Sequence, residues 1–132
     1  MPTVDRRELA AIFGGGVCGA LLRVGTAQLI PHGTTAWPWS TFAANMLGTF
    51  LLGYFVTRLQ ERLPLTAYRR PFLGTGFCGA LTTFSTMQLE VFDMLRAGSV
   101  LLALAYSVTS IATGFLILAT ATAAVRRVRI SA

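Results

Sequence analysis

The stretch that decides the fold lies in the third long apolar segment and runs from residue 74 to residue 86 as GTGFCGALTTFST. Its glycines and its cluster of threonine and serine make it a poor α-helix. If the segment spans a membrane, unwound backbone is tolerated only where protein or a wet cavity satisfies it, and freed carbonyls can then bind a small cation. The alternative is a continuous helix whose hydroxyls bond back to the preceding turn.

Four apolar segments, including this one, reach the roughly 20 residues that a helix needs to cross a bilayer. They cover about residues 9–30, 37–57, 71–95 and 99–125. The connections between them are short or rich in proline, glycine or arginine, which is typical of turns at a membrane surface. The sequence therefore predicts one all-α membrane domain over residues 1–132, with four transmembrane helices in a lipid bilayer.

The composition indicates the same class of protein. Hydrophobic residues make up 54% of the 132 residues and charged residues 12%, and the mean hydropathy is +0.63. A soluble domain of this size needs a larger polar share to cover its surface. All eleven basic residues are arginines, mostly between apolar runs, so we expect anionic lipid and no nucleic acid as their partner. No catalytic spacing of nucleophile, carboxylate and histidine is recognisable, and we expect no enzyme.

The arginines are distributed unevenly about the predicted membrane. Both tails and the second connection fall on one side of a four-span chain, and most of the arginines lie there: Arg6, Arg7, Arg58, Arg62, Arg69, Arg70, Arg126, Arg127 and Arg129. The opposite side has Arg96, offset by Glu90 and Asp93, which we expect at that interface. The positive-inside rule predicts that both termini are cytoplasmic.

Polar side chains within the apolar segments are the candidate site residues. Asn45 offers N–H donors suited to an anion, or makes an interhelical hydrogen bond. Tyr106 and Ser110 lie four residues apart on one helix face, where their hydroxyls line a pathway or bond to local backbone. Arg23 extends toward a membrane interface, attracts anions in a vestibule, or bonds to loop carbonyls.

Three stretches of the chain resemble the signatures of the CrcB family, also called Fluc fluoride channels. The first is GGVCGALLR at residues 15–23, the second is ANMLGTFLLG at residues 44–53, and the third is GFCGALTTFST at residues 76–86. They occur in the family's order and the resemblance covers essentially the whole chain. The third motif is specific, and the three together are hard to reach by chance.

The resemblance implies a fluoride-specific channel in the plasma membrane of a prokaryote, which passively exports fluoride and lowers its toxicity. Its subunits, each with the third helix broken mid-membrane, form an antiparallel dimer with two pores. Carbonyls at positions matching Gly79 and Thr82 hold a structural sodium ion at the dimer centre, which is not transported. The side chains that match the fluoride pathway are Asn45, Phe84, Ser85, Thr86, Met87, Tyr106, Ser110 and Arg23.

One position departs from the family pattern. The second pore phenylalanine of the family corresponds here to Met87, which has no ring edge to present to an anion. The arginine asymmetry points in the same direction, because an antiparallel homodimer needs one sequence to insert both ways. We therefore expect this chain to pair with a related subunit of opposite orientation. Either the pore holds the ion differently at Met87, or the partner subunit provides the missing ring.

Two other functions fit a small four-helix membrane protein. A proton-coupled exporter of the multidrug type needs a membrane-buried carboxylate, and the first, second and fourth segments contain none apart from Glu8 at an edge. A scaffold subunit without transport activity explains the small residues suited to helix packing. It does not explain Asn45 together with the hydroxyl-rich third segment.

Overall fold

The computed structural model describes residues 5–62 and 68–130, and these residues form helices joined by short loops. Helix α1 spans Arg6–Leu29 and helix α2 spans Trp39–Arg62. The side chains of residues 60–62 and 129–130 are not described. The ends of both arginine-rich tails, and residues 63–67 of the second connection, therefore lie outside the described residues.

The third apolar segment contains three helical pieces. A π-helical segment, Pro71–Cys78, runs directly into the single α-helical turn α3, Gly79–Leu81. Helix α4 follows at Phe84–Arg96, and helix α5 spans Val100–Ile130. Among the described residues, three helices are long and apolar enough to cross a membrane, within Arg6–Leu29, Trp39–Leu59 and Val100–Val128. None of the pieces of the third segment reaches that length alone.

Helix α1 begins at a capped end. Asp5 is the N-cap, and its Oδ1 accepts a hydrogen bond from the backbone N–H of Arg7 at 2.8 Å. The Tyr68 hydroxyl donates to the other carboxylate oxygen at 3.1 Å, which connects this end to the start of the third segment. The Arg7 backbone bond lowers the pKa of the Asp5 carboxyl below 3.8, because it stabilises the charged form.

The most extensive contact of α1 is with the π-helical segment. At Gly15 an added Cβ would lie 2.0 Å from the carbonyl oxygen of Phe72, and at Gly19 it would lie 2.2 Å from that of Phe77. No side chain fits at these separations, so the two backbones touch directly. The four-residue spacing of small residues in α1 thus has a structural purpose, since close packing drives helix association in lipid.

The remaining helices pack around a small buried cluster. Helix α2 packs chiefly against α5, and α4 turns back onto α5 through Gly98. Gly98 has a φ of +78°, a left-handed conformation that glycine adopts without a steric penalty. The buried residues between these helices are Met87, Met94, Ala103 and Tyr106.

Candidate functional site

Asn45 of α2 lies against the two residues that separate α3 from α4. Thr82 and Thr83 both have extended backbone, with φ and ψ of −78° and 146° and of −147° and 113°. The backbone N–H of Thr83 donates to Asn45 Oδ1 at 2.7 Å, and Asn45 Nδ2 donates to the Thr83 carbonyl at 3.2 Å. The amide of Asn45 thus pairs with this backbone as a neighbouring β-strand would.

These bonds redirect two N–H groups that an uninterrupted helix uses differently. In a continuous α-helix the N–H of residue 83 bonds to the carbonyl of Gly79, and that of residue 86 to the carbonyl of Thr82. Here the first donates to Asn45, and the second donates to the Thr83 hydroxyl at 3.2 Å. The carbonyls of Gly79 and Thr82 therefore lack these helical partners.

A group of hydroxyls caps the start of α4. Thr83 is the N-cap, and its buried hydroxyl donates to Thr86 Oγ1 at 3.0 Å. Its oxygen also lies 3.3 Å from the Oγ of Ser85. Ser85 is exposed and Thr86 half-buried. The hydroxyls predicted for the site thus meet at the first turn of this helix, beside the Asn45 amide.

A cavity of about 250 Å³ opens next to the Asn45 pair. Four of the side chains predicted for the fluoride pathway line it together: Asn45, Phe84, Met87 and Ser110. Thr82 and Thr83 also contribute to its wall. The structure therefore brings residues from α2, α4 and α5 to one place, although they are separated by up to 65 positions in the sequence.

The donors around this cavity are uncharged. The amide nitrogen of Asn45 carries two N–H groups, of which the Thr83 carbonyl takes one. The Ser110 hydroxyl is buried and has no hydrogen-bond partner among the described residues. Phe84 is 71% exposed, and Met87 is buried at the cavity wall. The polar side chains that the sequence predicts for the pathway, Asn45 and Ser110, thus lie at one cavity, and both are uncharged.

Arg23 lines a separate cavity of about 240 Å³. Its neighbours there include Ser40 and Thr41 of α2 and Thr83 and Thr86 at the start of α4. Because Thr83 belongs to both cavities, the Arg23 cavity adjoins the one that Asn45 lines. Arg23 thus lies at a cavity wall beside the Asn45 site, and its role in a vestibule stays a prediction.

Tyr106 does not line the Asn45 cavity. It is fully buried, and its hydroxyl donates to Glu90 Oε2 at 2.8 Å. The other oxygen of Glu90 accepts a hydrogen bond from the Thr41 hydroxyl and lies 3.3 Å from His32 Nε2. The line of hydroxyls predicted for Tyr106 and Ser110 is therefore divided between two environments.

Glu90 is the residue of this region whose role the sequence pattern missed. Its interfacial position stays a prediction, and its side chain is 11% exposed and accepts hydrogen bonds from Thr41 of α2 and Tyr106 of α5. Its place two turns beyond Thr83 in α4 was visible in the sequence. Its partners were not, because they come from two other helices and a loop.

Comparison with known proteins supports the family suggested by the motifs. The family described as "CrcB-like protein, Camphor Resistance (CrcB)" matches residues 10–122. The chain is 58% identical to "Fluoride-specific ion channel FluC 1" of Mycobacterium bovis over 130 residues, which cover 98% of both chains. It is 41% identical to "Fluoride-specific ion channel FluC" of Pyrococcus furiosus over 76% of this chain and 81% of that protein.

A relative whose name carries the number 2 is also similar to this chain. "Fluoride-specific ion channel FluC 2" of Nocardia farcinica is 40% identical over 106 residues, covering 80% of this chain and 76% of that protein. The family match spans most of the chain, and these relatives align over most of its length. The resemblance seen in the three motifs is confirmed: the chain belongs to the CrcB family of membrane proteins.

Proposed function

We propose that this chain is a subunit of a fluoride-specific ion channel that carries fluoride passively out of the cytoplasm. The observation that supports it most directly is the cavity in which Asn45, Phe84 and Ser110 meet. Full-length relatives named fluoride-specific ion channels support the choice of ion. They do not support the alternatives of a multidrug-type exporter or a scaffold subunit.

The physical reason is the chemistry of a small anion. Fluoride is strongly hydrated, so a pathway through a bilayer must replace its water with other hydrogen-bond donors. Asn45, Ser110 and Phe84 line the cavity, and amide N–H groups, hydroxyls and aromatic ring edges can present positive density without a fixed charge. Such donors bind the ion and still release it, as conduction requires.

Selectivity for fluoride is part of this proposal. Directional donors favour an ion that is small enough to approach each donor closely. Chloride is larger and gains less from short hydrogen bonds. The half-buried Arg23 in the adjoining cavity raises the local concentration of anions before they enter, because it supplies a fixed positive charge.

The assembly that we propose is an antiparallel dimer with two pores. Each subunit contributes four spans, and the third is interrupted mid-membrane at Thr82 and Thr83. The carbonyls of Gly79 and Thr82 fit a small hard cation, since they are oxygen ligands without their helical N–H partners. Sodium held there supplies a fixed positive charge that joins the two subunits.

The partner subunit that we propose is a paralogue of opposite orientation. The arginine-rich face, with both termini, lies in the cytoplasm, and this strong bias disfavours insertion of one sequence both ways. Relatives numbered FluC 1 and FluC 2 are consistent with paired genes. In such a pair the other subunit supplies an aromatic ring where this chain has Met87.

Transport measured in lipid vesicles tests the proposal. The chain is reconstituted alone and together with a paralogue of the FluC 2 type, and efflux is followed with a fluoride electrode. We expect efflux from the pair that greatly exceeds that of protein-free vesicles, with no efflux of chloride under the same conditions. Equal efflux of fluoride and chloride would remove the selectivity claim. Full activity of the chain alone would remove the requirement for a paralogue.

A further inference from the structure

His32 follows α1 in the loop to α2, and each of its ring nitrogens faces an oxygen. Nδ1 lies 3.3 Å from the carbonyl oxygen of Gly33, and Nε2 lies 3.3 Å from Glu90 Oε1. A backbone carbonyl only accepts hydrogen bonds, and so does an ionised carboxylate. A neutral imidazole has one donor, so it satisfies only one of these oxygens. The doubly protonated ring satisfies both.

The Glu90 carboxylate is the other half of this pair, and its two oxygens have further partners. Thr41 donates to Oε1 from α2, and Tyr106 donates to Oε2 from α5. Thr41 also lines the cavity that contains Arg23. The carboxylate is thus separated from the proposed route of the anion by one hydroxyl group, and its charge acts on that route.

Among the described residues, few titratable or charged side chains surround the His32 imidazole. A cavity of about 140 Å³ is lined by His32 and by Glu90 and Asp93 of α4. From α5 the titratable group is the Tyr106 hydroxyl, and from α2 the group is the uncharged Thr41. Arg23 belongs to the adjoining cavity beyond Thr41. The imidazole is therefore the cationic group that this geometry places in contact with Glu90.

We propose that His32 is a positioning residue of the channel, a proton-binding group that keeps the charge of Glu90 compensated at the mouth opposite the termini. While the imidazole is protonated, the pair is neutral overall and anions pass. When the proton leaves, Glu90 is an uncompensated carboxylate beside an anion route and repels fluoride. This inference rests on the proposed fluoride channel and adds a pH dependence to it.

The pH profile of fluoride efflux tests the pair, because an imidazole changes its charge between about pH 5 and pH 8. Vesicles with equal pH on both sides are compared at about pH 6 and about pH 8, and the leak of neutral acid is subtracted with protein-free vesicles. The parent should transport about fivefold faster at the lower pH, the effect of one unit charge at intermediate screening. His32→Gln should be slow and His32→Arg fast at both values.

A second measurement tests the contact without transport. His32 is the only histidine of the chain, so its imidazole signals in an NMR spectrum need no assignment among several rings. In the doubly protonated ring both nitrogens carry a proton, and the Nε2–H signal should move in Glu90→Gln. An unmoved signal would show that the two side chains do not meet.

The outcomes distinguish failure of the His32–Glu90 role from failure of the proposed fluoride channel. If His32→Gln transports fluoride with the same pH profile as the parent, the pairing role is wrong and the channel assignment stands. A uniform loss of rate in His32→Gln and His32→Arg, with the parent's pH profile kept, would assign His32 a purely structural role. If the parent, with its paralogue, carries no fluoride at either pH, the proposed function itself fails.

Discussion

Asn45 and Thr83 are joined by two hydrogen bonds, although 38 positions separate them in the sequence. The Thr83 N–H donates to Asn45 Oδ1 at 2.7 Å, and Asn45 Nδ2 donates back to the Thr83 carbonyl at 3.2 Å. A side chain of α2 thereby satisfies backbone that the third segment leaves outside a helix. Asn45 also lines the cavity of the proposed pathway, so one side chain links the local structure to the proposed transport.

Replacing Asn45 should slow fluoride transport. Asn45→Ala removes a donor to the anion, and a hydrogen bond to a charged group contributes about 1.5–3 kcal/mol. We expect efflux to fall about tenfold to a hundredfold in the vesicle assay. The control is Thr120→Ala, because the Thr120 hydroxyl bonds only to carbonyls of its own helix at 2.9 and 3.0 Å. Efflux at the parent rate from Asn45→Ala would take this side chain out of the pathway.

Phe84 should affect fluoride efflux through its aromatic ring and not through the exposure of its side chain. Phe84→Ile keeps an apolar side chain at the cavity but removes the ring edge, whose interactions are worth about 0.5–1.5 kcal/mol. We expect fluoride efflux to fall about threefold to tenfold. Phe13→Ile is a matched control, since Phe13 of α1 is 73% exposed against 71% for Phe84. Equal effects of the two changes would argue that the rings merely contact lipid.

Gly15 should be intolerant of alanine, whereas its neighbour should not. An added Cβ at Gly15 would lie 2.0 Å from a backbone oxygen, which cannot move without displacing the π-helical segment. We expect Gly15→Ala to lower the free energy of unfolding by about 1–3 kcal/mol. At Gly16 nothing lies within 4 Å of the added atom. Thermal unfolding in detergent that is the same for Gly15→Ala and Gly16→Ala would contradict the contact.

Sodium should stabilise the assembled protein. If the carbonyls of Gly79 and Thr82 bind this ion in the dimer, a ligand that binds only the folded assembly raises its stability by mass action. Exchange of sodium for a large organic cation such as choline should therefore lower the temperature of dimer dissociation. The increase should reappear when sodium is returned. A dissociation temperature independent of the cation would exclude a structural sodium ion.

The helices were largely predictable because each one depends on the composition of its own segment. Long apolar runs specify membrane-capable helices through their own composition, and α1, α2 and α5 correspond to such runs. The glycines and hydroxyls of the third segment indicated an irregular helix. Composition did not predict where the segment divides into three helical pieces. Its π-helical start reflects packing against α1, where Gly15 and Gly19 admit the backbone of the segment.

The sequence by itself determined the membrane class, the family and the residue types available to a pathway, since these depend on run length, composition and motif order. Only the tertiary structure decided which donors meet. It brought Asn45 and Ser110 to one cavity and directed Tyr106 away to Glu90. The physical reason is that hydrogen bonds between helices depend on their relative register and crossing, which no single helix encodes.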